Sequence, residues 1–265
     1  MPHEFTNGIR LAYERSGRGE RVLLIMGQAA AGRVWSMYQT PALTQAGYQA
    51  VTFDNRGIPP SDVPPGKYSL ADMVADTRGL IEALDVVPCR IVGASLGALI
   101  AQELAINAPH LVRSAVLIAT KSRSDAARAA MDRAELALLE SGIELPIGYR
   151  TAASAFRMLS PATLNNDAAA SLWLETFQLS GKETARGQAW VDTGRDRREA
   201  LRAVTVPCRV IAFADDCITP PHLAAEVAQA IPDCDFVEIP ACGHFGYLER
   251  PDQVNSAIIE FLDKN

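Results

Sequence analysis

The stretch Ile91-Val92-Gly93-Ala94-Ser95-Leu96-Gly97-Ala98 decides how the rest of the chain is interpreted. A short apolar run ends at Gly93, a serine follows two residues later, and the helix-forming segment 98–105 begins at once. This order predicts a strand, a sharp turn and a helix. A serine on so tight a turn needs almost no side chain two positions away on either side, because strand and helix approach closely there. Gly93 and Gly97 meet this requirement, so the stretch predicts a nucleophilic serine at position 95.

Length and charge favour one domain that acts on a small molecule. The 265 residues, 48% of them apolar, suffice for one core with an insertion but not for two full domains. The formal net charge of −6 argues against a nucleic-acid partner, because such binders present a basic face. The N-terminus lacks a signal-peptide pattern, and the longest early apolar run, 22–26, is too short to span a bilayer. We therefore expect a cytoplasmic protein with a small-molecule partner and no membrane partner; no oligomeric state is indicated.

Cysteine spacing and known binding motifs indicate no metal and no cofactor. Five cysteines, an odd number without C-x-x-C spacing, suggest neither a disulfide framework nor a zinc site. The chain also lacks a Walker loop, a G-x-G-x-x-G after a strand and an H-E-x-x-H motif.

Strands and helices alternate on both sides of an insertion. Strands are predicted at 9–14, 21–26, 49–53, 112–119, 207–214 and 235–239, and helices at 69–84, 221–230 and 251–262. Such alternation predicts an α/β fold with a mainly parallel sheet and helices on both faces. In such folds the ligand site lies at the carboxyl ends of the strands.

The alternation stops after Lys121 and resumes at about Arg198. Alanine-rich segments in between predict helices at 124–140, 148–159, 167–179 and 183–197. An insertion at a strand end is typical of a cap over the site. We therefore expect a core at 1–120, a helical cap at 121–198 and the rest of the core at 199–265.

The serine needs a base, which is usually a histidine. His244 follows the predicted strand 235–239 in a loop, so it should emerge at the same strand ends as Ser95. The other histidines fit less well, because His3 lies in a terminus expected to be mobile, and His110 and His222 lie beside helix ends. His244 is therefore the candidate base, although a loop histidine can also serve only as a solvated or capping residue.

The histidine in turn needs an acidic group that fixes its tautomer and stabilises its charge. This third member of a catalytic triad should follow the predicted strand 207–214, where Asp215 and Asp216 stand side by side. The spacing Asp-x-x-x-Pro, with Pro220, favours Asp216. A shift of the loop by one residue would favour Asp215 instead. Both residues could also merely cap the following helix.

With these residues in place, the sequence resembles the α/β-hydrolases over nearly its whole length. Small serine-nucleophile esterases and haloperoxidase-like members are especially similar, and the Met26-Gly27 loop resembles that of aclacinomycin methylesterase-type enzymes. Two departures stand out: Met26-Gly27 replaces the usual His-Gly, and Ile58-Pro59-Pro60-Ser61 replaces the usual Gly-x-Ser. The resemblance rests on Gly93-x-Ser95-x-Gly97, Asp216, His244, the Asp54-x-Arg56-Gly57 loop and the terminal Gly-His loop with its helix.

The resemblance implies an oxyanion hole made by the backbone N–H groups of Leu96 and Gln28. It implies a serine hydrolase that cleaves an ester or thioester through an acyl-enzyme. Two alternatives remain: an acyltransferase that hands the acyl group to a non-water acceptor, and a non-hydrolytic binding protein or cofactor-independent lyase or cyclase. A bacterial natural-product pathway, and a carrier-bound acyl substrate, would fit the same resemblance.

Bulky apolar residues predict an apolar pocket that would take an apolar or aromatic acyl group. Trp173 and Phe177 are four residues apart on one predicted helix face, and Met158 lies elsewhere in the cap. Trp35 follows the oxyanion loop and is a candidate pocket wall. Each of these residues could instead belong to the packing of the cap or core.

Overall fold

One eight-stranded sheet forms the centre of the computed structural model, which describes residues 1–179 and 185–265. The strands are β1 (His3–Thr6), β2 (Ile9–Ser16), β3 (Arg21–Ile25), β4 (Gln49–Phe53), β5 (Cys89–Ala94), β6 (Val112–Ile118), β7 (Cys208–Phe213) and β8 (Cys234–Ile239).

Helices precede, connect and follow these strands. The α-helices of the described part are α1 (Gln39–Gln45), α2 (Leu70–Ala83), α3 (Leu96–Asn107), α4 (Ala126–Ser141), α5 (Ile147–Met158), α6 (Pro161–Leu164), α7 (Asp167–Leu179), α8 (Arg198–Leu201), α9 (Pro221–Ala230), α10 (Gly246–Glu249) and α11 (Pro251–Lys264). Short 3-10 helices span Gly32–Met37, Pro109–Leu111 and Arg186–Trp190. None of the helices in the described ranges combines the length and apolar character needed to cross a bilayer.

The sheet order is β1-β2-β4-β3-β5-β6-β7-β8. The pairs β1–β2 and β2–β4 are antiparallel, and the remaining pairs are parallel. The parallel strands therefore end at one edge, where the loops after β3, β5, β7 and β8 meet.

Both faces of the sheet are covered, which explains the continuous apolar run of β3. Val22 and Leu24 pack into a cluster with residues of α1 and α11, whereas Leu23 and Ile25 pack into a second cluster with residues of α2 and α3. Side chains alternate across a strand, so a strand buried on both faces is apolar at every position.

Four helices, α4 to α7, lie between β6 and α8, in the segment expected to form a cap. The expected helix at 183–197 is wrong for its described part, and its first residues, 183–184, lie outside the described residues. The chain forms a 3-10 helix at Arg186–Trp190, and 191–197 are not helical. Contacts with the core override the local periodicity here, since the Tyr68 N–H donates to the Gly187 carbonyl at 3.0 Å.

The N-terminus also differs from expectation. His3 begins β1 and pairs with Ala12 of β2, so the described terminus is a strand at the edge of the sheet. This pairing joins two adjacent strands through the turn at Asn7 and Gly8, both at positive φ.

Candidate active site

The loop between β5 and α3 holds Ser95 in the conformation expected of a sharp turn. Ser95 has φ 53° and ψ −117°, a strained backbone for a residue with a side chain. A Cβ at Gly93 would collide with the Gly97 carbonyl, and one at Gly97 would collide with the Ile25 carbonyl. The Ser95 N–H donates to the Ile118 carbonyl at 2.9 Å, which ties the turn to β6. The two glycines are therefore required by close backbone contacts.

Three side chains from separate loops form one hydrogen-bonded chain. Ser95 Oγ lies 3.1 Å from His244 Nε2, and His244 Nδ1 lies 2.8 Å from Asp216 Oδ2. His244 and Asp216 are buried, whereas Ser95 is partly exposed. A ligand can therefore reach the serine while the other two groups are shielded from water.

Of the two adjacent aspartates, Asp216 contacts the histidine. Asp215 is tied by its backbone N–H to the Cys242 carbonyl, at 3.0 Å, and its side chain lines a surface groove beside α5 and α6. The alternative assignment to Asp215 is therefore not supported by the geometry.

The Asp216 carboxylate is saturated with donors. Oδ1 accepts the backbone N–H groups of Ile218 at 2.8 Å and Thr219 at 2.9 Å, and Oδ2 accepts the Thr219 hydroxyl at 2.6 Å. Burial disfavours the charged form, but His244 and the Thr219 hydrogen bonds outweigh it, so the pKa of Asp216 lies below its usual value. Asp216 is therefore ionised at neutral pH and able to hold the proton on His244 Nδ1.

The loop after β3 lies directly against the serine. A Cβ at Gly27 would lie 3.1 Å from Ser95 Cβ and 3.3 Å from the Ala94 carbonyl oxygen. Within the described residues, the backbone N–H groups of Gln28 and Leu96 donate no intramolecular hydrogen bond. Both N–H groups are thus available to a ligand oxygen, and the Gln28 side chain is exposed.

Ala29, the next residue of this loop, is held by the side chain of Gln188. The Ala29 N–H donates to Gln188 Oε1 at 2.8 Å, and Gln188 Nε2 donates to the Arg56 carbonyl at 2.7 Å. Ala29 itself has φ 59°, in the left-handed region. Sequence reasoning did not single out Gln188, and no motif around it signals this contact.

The unusual Ile58-Pro59-Pro60-Ser61 segment is fastened to the core. The Ser61 hydroxyl donates to the Asp54 carbonyl at 2.6 Å and accepts the Ala12 N–H at 2.8 Å. The Asp54 side chain accepts the Gly32 N–H at 2.7 Å. Burial raises the pKa of Asp54, against the opposing effect of the Gly32 N–H. Ser61 and Asp54 therefore act on the backbone around the site without touching Ser95.

Trp35 does not line a pocket, which corrects the prediction that it forms a pocket wall. Its side chain is 0% exposed and packs 5.5 Å from the Tyr247 ring, centroid to centroid, within the core under α1 and α11. The 3-10 helix Gly32–Met37 turns the indole inward.

The other predicted pocket residues meet beside the histidine. Trp173 and Phe177 of α7 stack with their ring centroids 5.7 Å apart, and each ring lies 6.0 Å from the Phe245 ring. These three half-buried rings, here called the aromatic wall, extend to His244, because the Phe245 ring lies 6.4 Å from the His244 ring. Sequence reasoning missed Phe245, although its position directly after the histidine was a signal.

Met158 contributes to this site through its backbone. Its carbonyl accepts the Phe245 N–H at 3.0 Å, which joins the end of α5 to the histidine loop. Tyr149 and Phe156 of α5 are 63% and 73% exposed, and Phe156 lines the same surface groove as Asp215.

Glu249 is a further residue that no sequence motif indicates. Its Oε2 accepts the Gly243 N–H at 2.6 Å, and its Oε1 accepts the Ser160 N–H at 3.0 Å and the Ser160 hydroxyl at 2.8 Å. This carboxylate therefore fixes the residue before His244 to the segment that follows α5.

Comparisons with known proteins agree with this architecture. The profile of the Alpha/beta hydrolase family matches residues 22–257. The proposed non-heme bromoperoxidase BpoC of Mycobacterium tuberculosis H37Rv is 44% identical over 257 residues, which cover 96% of this chain and 98% of BpoC. The crystal structure of BpoC superposes with a TM-score of 0.92 and covers 96% of both chains.

More distant relatives carry names of hydrolases. The proposed carbamate hydrolase RutD of Variovorax paradoxus is 30% identical over 260 residues, covering 95% of this chain and 96% of RutD. A thermophilic esterase from Thermogutta terrifontis has a TM-score of 0.81 at 27% identity, covering 97% of this chain and 94% of the esterase. The sheet order, the matched family profile and these relatives confirm the predicted fold, and the chain belongs to the alpha/beta hydrolase family.

Proposed function

We propose that the chain is a serine hydrolase that cleaves an ester or thioester of a small apolar or aromatic acyl group through an acyl-enzyme on Ser95. The observation that carries this proposal is the hydrogen-bonded chain from Ser95 Oγ through His244 to Asp216, with distances of 3.1 Å and 2.8 Å. The proposal needs no metal and no cofactor, because the nucleophile and the proton carrier are side chains of the protein.

The first step forms the acyl-enzyme. His244 Nε2 takes the hydroxyl proton as Ser95 Oγ attacks the carbonyl carbon, and the new C–O bond leaves the negative charge on the carbonyl oxygen. Asp216 holds the other ring proton on Nδ1, so Nε2 is free to accept. The intermediate collapses, the ester or thioester bond breaks, and His244 gives its proton to the leaving oxygen or sulfur.

The free N–H groups of Gln28 and Leu96 would bind the carbonyl oxygen while it carries charge. Leu96 is also the first residue of α3, so its N–H belongs to a helix N-terminus with partial positive charge. Loss of one such donor costs about 3 kcal/mol of transition-state stabilisation in comparable enzymes.

Water completes the cycle. His244 takes a proton from a water molecule, whose oxygen attacks the acyl carbon. The bond between the acyl carbon and Ser95 Oγ then breaks, the acid is released, and His244 gives the proton to Ser95 Oγ. The products are one carboxylic acid and one alcohol or thiol per substrate.

The aromatic wall supports an apolar or aromatic substrate. Its three rings are half-buried, and the Phe245 ring is adjacent to the base. Flat aromatic surfaces bind apolar groups and other rings well. The likeness of the Met26-Gly27 loop to aclacinomycin methylesterase-type enzymes supports a tailoring reaction in a bacterial natural-product pathway.

A second candidate is transfer of the same acyl group to hydrogen peroxide, which the name of the 44% identical relative favours. Peroxide would attack the acyl carbon in place of water and yield a peroxy acid with regeneration of Ser95. The peroxy acid would then oxidise bromide to hypobromite and return the carboxylic acid. In this reading the protein is an acyltransferase whose acceptor is peroxide.

Steady-state and burst kinetics with p-nitrophenyl esters test the proposal. We expect a burst of p-nitrophenol equal to the enzyme concentration and a preference for aryl or longer acyl chains over acetate. Addition of peroxide and bromide, with bromination of an added dye as readout, tests the second candidate. Hydrolysis that is unaffected by peroxide, without bromination, would exclude it. A folded protein with neither burst nor turnover would contradict the proposed function.

A further inference from the structure

We propose that Gln188 is a positioning residue for the oxyanion hole, through which the end of the cap insertion sets the geometry of the loop after β3. This inference rests on the proposed function, because an oxyanion hole stabilises a negative charge that forms on the carbonyl oxygen during acyl transfer. It assigns a role to a residue outside the conventional triad and outside the two donors.

The Gln188 side chain uses both ends of its amide. It is fully buried in the 3-10 helix Arg186–Trp190, accepts the Ala29 N–H through Oε1 and donates to the Arg56 carbonyl through Nε2. One partner is a donor and the other an acceptor, so an amide fits where a carboxylate or an apolar side chain would leave one partner unsatisfied. Each buried backbone group left unpaired carries a penalty.

The contact with Ala29 matters because Gly27 and Gln28, the two residues before it, lie at the candidate site. Gly27 lies against Ser95, Gln28 offers its N–H to the ligand, and Ala29 turns the chain through a positive φ. Successive N–H groups in such a turn point in directions fixed by the same dihedral angles. The peptide that carries the Gln28 N–H is joined to the peptide that carries the Ala29 N–H through φ and ψ of Gln28, so the hydrogen bond from Ala29 to Gln188 restricts the direction in which the Gln28 N–H can point.

The support behind Gln188 is itself rigid. The Tyr68 N–H donates to the Gly187 carbonyl at 3.0 Å, and a Cβ at Gly187 would lie 2.5 Å from the Tyr68 ring. The backbone carbonyl of Arg56 accepts the hydrogen bond from Gln188. The side chain of the same residue is held by a bidentate ion pair with buried Asp76. Where the cap insertion returns to the core, Gln188 therefore holds together two loops beside the site, the loop after β3 and the loop after β4.

The test compares Gln188→Met with a matched control, Gln39→Met. Methionine keeps the length of glutamine and removes both hydrogen bonds. Gln39 is equally buried and donates to the Tyr247 carbonyl at 2.9 Å, and among the described residues it has no hydrogen bond with residues 27–29. For each variant, kcat and KM are measured with a p-nitrophenyl ester, and kcat is expressed per titrated site, that is, per active site counted from the size of the burst. The thermal midpoint and the rate of labelling by a fluorophosphonate are measured as well.

We expect Gln188→Met to lower kcat per titrated site by about 10- to 100-fold, less than the loss of a donor itself, with KM within about threefold. Fluorophosphonate labelling should slow in parallel, because its phosphoryl oxygen occupies the same hole. Gln39→Met should keep kcat within about threefold even if it lowers the thermal midpoint as much. Gln188→Glu, which retains an oxygen for the Ala29 N–H, should fall between wild type and Gln188→Met.

Two results would overturn the inference alone: a wild-type kcat per titrated site in Gln188→Met, or an equal loss in Gln39→Met at an equal shift of the thermal midpoint. A folded wild type that neither turns over the ester nor reacts with the fluorophosphonate would instead overturn the proposed function, and this inference with it.

Discussion

Replacement of Asp216 by asparagine tests the hydrogen-bonded chain at its buried end. Oδ1 of Asp216 accepts two backbone N–H groups, from Ile218 and Thr219, so the oxygen of an asparagine amide must occupy that position. Its NH2 group then faces His244 Nδ1 at the present 2.8 Å contact. His244 Nδ1 must become an acceptor, which moves the ring proton to Nε2, the atom that faces Ser95 Oγ.

The consequence is a histidine that cannot take the serine proton. We expect Asp216→Asn to lower kcat by about ten-thousandfold, the loss seen when a triad histidine is held in the wrong tautomer. This loss corresponds to about 5 kcal/mol in the activation free energy. The assay is hydrolysis of a p-nitrophenyl ester, with circular dichroism to show that the variant is folded.

Asp215→Asn is the matched control for this prediction. Asp215 is the neighbour in sequence, and within the described structure its side chain lies in a surface groove away from the histidine. We expect its kcat to stay within about threefold of wild type, as for surface changes that touch no reacting group. A loss below about tenfold in Asp216→Asn, or an equal loss in Asp215→Asn, would refute the assignment.

Three further changes test the oxyanion loop, the turn and a helix cap. Gln28→Ala should keep kcat within about tenfold, because the main chain donates and the side chain is exposed; a loss of several hundredfold would show that the side chain is needed. Gly97→Ala should lower the free energy of unfolding by about 3 kcal/mol or more, because the added Cβ collides with the Ile25 carbonyl; an unchanged urea midpoint would contradict this. Asp72→Ala removes the capping box of α2 and should cost about 1 kcal/mol of unfolding free energy at neutral pH. The backbone N–H and then the hydroxyl of Ser69 lower the pKa of Asp72, so this contribution is complete above about pH 4 and is lost as the pH falls through the lowered folded pKa; a difference from wild type that is equal at about pH 7 and pH 2 would argue against it.

Local signals explain why the sharp turn at Ser95 and its two partner residues could be predicted from the sequence. The glycines beside Ser95 are required because the backbone passes close to them, and this signal lies within a few residues of the serine. The apolar runs of β3 and β5 indicate strands that are buried on both faces. The order of elements then limited the candidates for the base and the acid to the loops after β8 and β7. The structure brings those candidates together, with Asp216 and not Asp215 on the histidine.

The features that the sequence did not reveal depend on contacts between distant segments. In the described part, 185–197, of the predicted helix, the helical periodicity is overridden by the contact between Gly187 and Tyr68, more than 100 positions earlier. Trp35 is turned into the core by the 3-10 helix that carries it, so its nearness to the oxyanion loop in sequence was misleading. Gln188 and Glu249 act on backbone groups, and a backbone partner leaves no motif.

The segment between β6 and α8 is therefore attached to the candidate site at two places with different partners. Ser160 and Met158 bind the histidine loop through Glu249 and Phe245, and Gln188 binds the loop after β3. A displacement of this segment would act on His244 and on the loop after β3 together.

The most direct test of the central claim is the intact mass of wild type and Ser95→Ala after incubation with a fluorophosphonate, with p-nitrophenyl ester hydrolysis measured on the same samples. We expect one covalent adduct and ester turnover in the wild type, and loss of both in a folded Ser95→Ala. A folded wild type that stays unlabelled and inactive, or a Ser95→Ala that is labelled and active like the wild type, would contradict the claim that Ser95 is the nucleophile.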